Sequence, residues 1–321
     1  MRVLVTGGAG FIGTHTLEAL RARGDDTALF DNFNATCPVA IKRANAALSG
    51  ARVYEADLCD RAAVRAALRD FRPDAVIHLA ARAGVRPSIE APQLYIDSNI
   101  TGTQHLLDEC RAAGISRIVV ASSSSVYGDN TKLPFAEDDA LLALASPYAV
   151  TKLAAEGLAR IHAQLHGAAV TVLRFFTVYG PRQRPDLAIS KFVRAISAGK
   201  PVELYGDGSS SRDYTYVTDI VAGTLAALDR LQPGFRICNL GGDRPVTLAA
   251  LVAAIEQAVG RKADIRRLPE QPGDVAHTRA DLTRARALLG YAPAVTLAEG
   301  LARFREWHLA EGSRPPWTGC H

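Results

Sequence analysis

Tyr148 and Lys152 stand four residues apart in the run Ser146-Pro147-Tyr148-Ala149-Val150-Thr151-Lys152. On a helix that spacing puts the phenol and the ammonium on one face. Pro147 suits the first turn of such a helix. A free tyrosine titrates at about pH 10 and is a poor base at neutrality. Lowering that by roughly 3 units takes about 4 kcal/mol of selective phenolate stabilisation. A neighbouring ammonium and a cationic cofactor ring can supply it in a dry site. The pair would then remove and return the proton of a substrate hydroxyl. Upstream, Ala121 is followed by Ser122, Ser123, Ser124 and Ser125. Some of these hydroxyls can bond the reacting group, while others must serve the backbone or a turn. Alone, a Tyr-x-x-x-Lys spacing is a common surface pair. A second site gives it meaning.

That site lies in Thr6-Gly7-Gly8-Ala9-Gly10-Phe11-Ile12-Gly13, after the apolar run Val3-Leu4-Val5. The chain must turn sharply at Gly7, approach a pyrophosphate closely at Gly10, and pack helix on strand at Gly13. The helix N-terminus then offers amides and a positive dipole to phosphate. Asp31 ends the next apolar run, about 20 residues on, where a carboxylate accepts ribose hydroxyls and repels a 2′-phosphate. This favours NAD over NADP. Asp57 ends the third run, either meeting adenine or capping the helix that follows. Leu79-Ala80-Ala81 closes the fourth with small residues that leave room for the cofactor.

These sites need elements to hold them. Strand-type runs occur at 3–6, 27–30, 53–56, 75–79, 117–121 and 170–174. Helical patterns lie near 11–23, 61–70, 96–113 and 147–166. Strict alternation of this kind predicts an α/β fold with a Rossmann-type, doubly wound parallel sheet. After residue 175 prolines and glycines make the pattern irregular, which predicts a smaller C-terminal substrate-binding lobe. The expected division is 1–174 for the dinucleotide domain and 175–321 mainly for the lobe. Segments near 215–242, including a helix at 217–230 and a strand at 236–240, return to the first domain.

The chain has 321 residues, 48% hydrophobic and 22% charged, enough for a sizeable core. Its net charge of +4 is scattered and does not suggest nucleic acid. No apolar run is long enough to span a bilayer. The five cysteines are odd in number and lack metal-type pairing, so a metal is not expected and a reducing compartment is. With no signal-type N-terminus, the expected location is the cytoplasm.

Taken together, Thr6–Gly13, His78–Ala81, Ser122–Gly128, Ser146–Lys152 and Arg174–Pro181 resemble the extended short-chain dehydrogenase/reductase family. They follow the family's order. The resemblance implies Ser123, Tyr148 and Lys152 as the catalytic triad and a tightly bound NAD. It implies that Asn99 is a support residue and that Phe175, Phe176 and Val178 lie along the nicotinamide. Phe11, Ile12, Asn32, Asn34, Leu58 and Ser122 join the expected cofactor site. A homodimer through the helices near 96–113 and 147–166 is implied as well.

Within the family, dehydratases carry Asp-Glu directly after the catalytic Ser or Thr, and decarboxylases usually carry a Glu in that loop. Here Ser124 and Ser125 occupy those positions, leaving reversible oxidation and reduction at one carbon, C4 epimerisation of a UDP-sugar. The resemblance places Arg212 on the diphosphate, a fitting use of a guanidinium fork. It places Val202, Leu204 and Tyr205 along the nucleobase and Asp274 on the nucleoside ribose. The Asp31–Asn34 motif with Lys42–Asn45, Ala83–Ser88 and Arg184–Asp186 resembles the UDP-glucuronate 4-epimerases of the family. A uronate carboxylate needs donors, which Ser124, Ser125, Thr177, Arg86 or Arg184 could supply. Ala35–Pro38 departs from that pattern, and UDP-glucose or a UDP-N-acetylhexosamine stays open as substrate. So do a net reductase and a non-catalytic NAD sensor, although a sensor has no use for a tuned phenol.

Overall fold

The computed structural model describes residues 1–269 and 275–317. The first part alternates as expected: β1 (Arg2–Thr6), α1 (Phe11–Ala22), β2 (Asp26–Asp31), α2 (Val39–Ser49), β3 (Arg52–Glu55), α3 (Arg61–Phe71) and β4 (Ala75–His78). Two short helices follow, α4 (Val85–Glu90) and α5 (Pro92–Ile96), then a π-helical turn at Asp97–Thr101 and α6 (Gly102–Ala112). Next come β5 (Arg117–Ser123), α7 (Pro147–His166) and β6 (Ala169–Phe175). Beyond them lie β7 (Thr177–Tyr179), α8 (Ala188–Ala198), β8 (Val202–Tyr205), β9 (Ser211–Tyr216), α9 (Val217–Asp229) and β10 (Gly234–Leu240). The last elements are β11 (Pro245–Thr247), α10 (Leu248–Val259), β12 (Ile265–Leu268), α11 (Thr283–Leu289) and α12 (Leu297–Trp307).

Seven parallel strands form the central sheet, in the order β10-β6-β5-β4-β1-β2-β3. Both faces are covered, which is why the strands read as continuous apolar runs. Val3, Val5, Leu29, Ile77 and Val119 point to one side, toward Leu17 and Leu20 of α1 and Leu228 of α9. Leu4, Phe30, Val76, Ile118 and Val120 point to the other, toward α3, α6 and α7. A third core joins α8, β8, α10 and α12. There, β7 and β11 flank β9 in a three-stranded sheet, and β12 pairs with β8.

The order reverses between β1 and β4, and a crevice opens beyond the strand ends at such a point. α7 is set by its ends: Ser146 caps the N-terminus through Ala149 N, Pro147 starts the first turn, and Gly167 closes it in the left-handed region. One expected helix differs. The pattern at 96–113 is broken by the π-helical turn that carries Ser98 and Asn99.

Candidate active site

A cavity of about 570 Å³ lies over the C-terminal ends of β1, β2, β4 and β5. The glycine turn forms one wall. Gly7 has φ +69°, and a Cβ there would stand 2.7 Å from Ala80 N. At Gly13 a Cβ would lie 2.3 Å from Gly7 O, so helix and loop pack backbone on backbone. At Gly10 a Cβ would meet only Gly7 O, at 3.1 Å, and would otherwise stand in the cavity. Gly10 also begins α1 without a side-chain cap, so the first-turn amides are left for a ligand. These features fit a dinucleotide pyrophosphate. Phe11 and Ile12 line the same wall.

The Asp31 carboxylate is buried and accepts bonds from Ala9 N (3.2 Å), Phe33 N (2.9 Å) and Lys42 Nζ (3.1 Å). Lys42 also donates to Asn34 Oδ1 at 3.3 Å. Asn32 donates to Asp57 at 2.6 Å, and Cys59 N donates to the other carboxylate oxygen at 2.8 Å. Burial alone would raise Asp57, but these bonds hold it below the ordinary carboxylate range. Asp57 is not the helix cap; Asp60 is, accepting from Ala62 N and Ala63 N. Leu58, Leu79, Ala80 and Ala81 complete this side. Asn99 does not line the cavity. It grips Arg82 N and O and donates to Thr151 on α7, tying the loop after β4 to that helix.

Tyr148 and Lys152 line the same cavity. Ser88 Oγ accepts from Tyr148 N at 3.1 Å and fixes the start of α7. Burial pushes the Tyr148 phenol above its ordinary value, opposed by a hydrogen bond with Ser123 and by Arg184. Desolvation by burial is the largest of these influences. Lys152 Nζ donates to the Ala121 carbonyl at 2.8 Å. Burial pushes the ammonium down to about 8, partly offset by Glu156.

The four serines divide their work. Ser122 lines the cavity but donates to Glu156 at 2.5 Å. Ser123 Oγ accepts from Ser125 N and donates to Ser125 Oγ, capping a short 3₁₀ turn. Ser124 and Ser125 lie in that turn, half-buried. Phe175 and Val178 line the cavity, whereas Phe176 is buried beside the Tyr127 and Phe135 rings.

Arg86 of α4 and Arg184 from the lobe also reach the cavity. Arg86 lies over the Tyr205 ring, 5.3 Å from its centre. Arg184 holds Asp186 by two bonds, at 3.0 and 2.6 Å. Thr177 opens β7, beside Tyr214 of β9. Arg212 donates to the main-chain carbonyls of Ser211 and Ala276. It makes no pair with Asp213, whose buried carboxylate accepts from Gly242 N, Asp243 N and Ala280 N. Val202 and Leu204 are 1% and 2% exposed in the lobe core, so their side chains are turned from the cavity. Asp274 lies outside the described residues. Thr36 and Cys37 of the 35–38 loop and Asp186 of the Arg184–Asp186 run also line the cavity, whereas sequence reasoning missed Arg82 there and the bond of Lys42 to Asp31. For Lys42 a signal existed, since it stands in the Lys42–Asn45 string.

The model of the NAD dependent epimerase/dehydratase family matches residues 3–241. The chain belongs to that family. As an epimerase/dehydratase family member it is 40% identical to a probable UDP-glucuronate 4-epimerase of Rhizobium meliloti, over 96% of this chain and 97% of that one. A crystal structure of UDP-glucuronic acid 4-epimerase from Bacillus cereus, in complex with UDP-glucuronic acid and NAD, superimposes with TM-score 0.90. It is 34% identical and covers 97% of this chain and 99% of its own. The NAD complex of Thermus thermophilus UDP-glucose 4-epimerase gives TM-score 0.89 at 35% identity, covering 97% and 100%. NAD is the cofactor of this family member. Among the described residues no helix is long and apolar enough to cross a membrane, and no three or more His, Cys, Asp or Glu side chains are grouped to hold a metal ion.

Proposed function

We propose that the chain interconverts UDP-glucuronate and UDP-galacturonate by epimerisation at C4. The observation that carries this is one cavity wall shared by the glycine turn, Tyr148 and Lys152, with Lys152 Nζ held on the Ala121 carbonyl of β5. NAD, when bound, would supply reversible hydride acceptance for the sugar's C4. The chain's own residues handle the proton. Tyr148 takes it from the 4-hydroxyl and gives it back, steadied by Ser123. Lys152 supplies the positive charge that makes the phenolate accessible. Gly7, Gly10 and Gly13 hold the pyrophosphate, and Asp31, set by Lys42, takes the adenosine ribose. Ser124 and Ser125 offer hydroxyls where an elimination would need a carboxylate acid or base.

In this reading residues 1–174 with 215–242 carry the dinucleotide, and the remainder of 175–321 carries the UDP-sugar. Arg86 and Tyr205 meet across that junction, and Arg212 serves the diphosphate. Val150, Ile161 and Leu165 lie exposed along one side of α7, which supports a homodimer through that helix. Action in the cytoplasm is part of the reading, supported by the thiols of Cys59, Cys110 and Cys238, which form no disulfide.

A neutral hexose is the second reading. Arg184 is already held by Asp186, so a uronate must compete for that guanidinium. Parallel incubation with UDP-glucuronate and UDP-glucose, read by chromatography and proton NMR, separates the two. UDP-galacturonate from the first with little turnover of the second is the expected result. UDP-galactose alone would overturn the uronate assignment.

A further inference from the structure

Behind the cavity lies a buried polar cluster that the proton chemistry does not use. Glu156 stands one turn beyond Lys152 on α7. Arg174 of β6 grips its carboxylate bidentately, Nε to Oε1 at 2.9 Å and Nη2 to Oε2 at 2.7 Å. Ser122, next to the carbonyl that holds Lys152, donates to the same carboxylate at 2.5 Å. Arg174 also donates to the Tyr127 hydroxyl at 2.9 Å, which donates to Asn239 at 2.7 Å. All of these side chains are buried. A buried ion pair is weak as a source of stability, since an apolar cluster of like volume does as well or better. Its place beside Lys152 therefore asks for another reason.

Lys152 is buried and bonded to a neutral acceptor, so a distant counter-charge matters to it. Burial pulls its ammonium down, and the Glu156 carboxylate pulls it back up. The other titratable or charged groups facing this pair are Tyr148 on α7, His78 on β4, Arg174 on β6, Tyr127 after β5, and Glu137. Burial lowers His78 to about 3, so it is neutral at working pH. Burial raises Tyr127 well above its ordinary value, so it too is neutral. Glu137 is turned to Asn239 N, at 2.7 Å. Glu156 is left as the anion that acts on Lys152, with Arg174 as its fixed partner.

We propose that Glu156 is a positioning residue for the reaction: its carboxylate, oriented by Arg174, keeps Lys152 an ammonium beside Tyr148. The proposal rests on the roles given to Tyr148 and Lys152 above.

The test is a pH series on the NAD-loaded enzyme. Glu156→Gln keeps the shape and leaves Arg174 unopposed. Arg174→Met leaves the carboxylate to Lys152 alone. The alkaline limb of kcat should move down by roughly one pH unit in the first and up in the second. Bound NAD should be unchanged, and Glu156→Asp should titrate like the parent. Carbon-13 NMR of the Lys152 Cε, assigned with Lys152→Arg, should report the same two shifts. If Glu156→Gln does not fold, Arg174→Met carries the test through its opposite sign. A Lys152 resonance that titrates at the parental pH in every folded variant overturns the proposal. A shifted resonance with an unshifted kcat limb upholds the coupling and contradicts the part given to Lys152 in the reaction.

Discussion

A phenol buried in a pocket resists ionisation, and the side chains around Tyr148 divide the work of allowing it. Ser123 and the Arg184 guanidinium both act to lower the phenol's pKa against burial. Hydroxyls near Tyr148 have a second task if the sugar is a uronate. Its 4-keto intermediate is a β-keto acid, which loses carbon dioxide fastest when the bond to the carboxylate stands perpendicular to the ketone plane. Hydroxyls of Ser124 and Thr177 that hold the carboxylate near that plane would suppress the loss. Thr177→Ala and Ser124→Ala should then release a UDP-4-keto-pentose and lose about tenfold in kcat, the worth of one good hydrogen bond. Mass spectrometry of the products checks this, and slower epimerisation with no decarboxylated product would refute the restraint.

Elements decide where these residues meet, and here close backbone packing matters most. Gly13 sits in α1 with Gly7 O so near that any Cβ must displace the loop. Gly13→Ala should lower the NAD that co-purifies with the protein by at least about tenfold, an affinity change of about 1.4 kcal/mol. Absorbance of the released cofactor measures it, and full retention would show that the turn tolerates a shift. The glycine turn and the Tyr148–Lys152 pair were legible in the sequence because each depends on local spacing. α7 was legible to the residue because its cap, first-turn proline and terminal glycine are all sequence signals. α2 was not legible. Its buried face includes Lys42, Asn45 and Ser49, so apolar periodicity is lost. With that helix went the Lys42–Asp31 bond, a contact no single segment encodes. The π-helical turn at 97–101 was equally hidden; Gly102 packs there against Leu58, where a Cβ would lie 2.8 Å from Leu58 Cβ. Val202 and Leu204 could not be told apart from cavity residues, since an apolar strand end looks the same whether it faces core or ligand.

At the scale of the whole molecule, two sheets and their helices meet around one cavity. Phe11, from α1 on the glycine side, packs against the lobe core, so the dinucleotide wall and the lobe are joined by apolar contact. The outer face of α7 bears Leu165 at 71% exposure, together with Val150 and Ile161. Leu165→Glu should convert a dimer to a monomer in light scattering, with Tyr148 and Lys152 undisturbed on the opposite face. A parent protein already monomeric at micromolar concentration would refute the α7 interface. The central claim is that this cavity oxidises and re-reduces one carbon of a UDP-uronate without net redox change. It is tested most directly by UDP-glucuronate deuterated at C4. The predicted result is UDP-galacturonate that retains the deuterium at C4, with no accumulation of NADH. Deuterium lost to solvent, steady NADH formation, or a decarboxylated pentose as main product would contradict it.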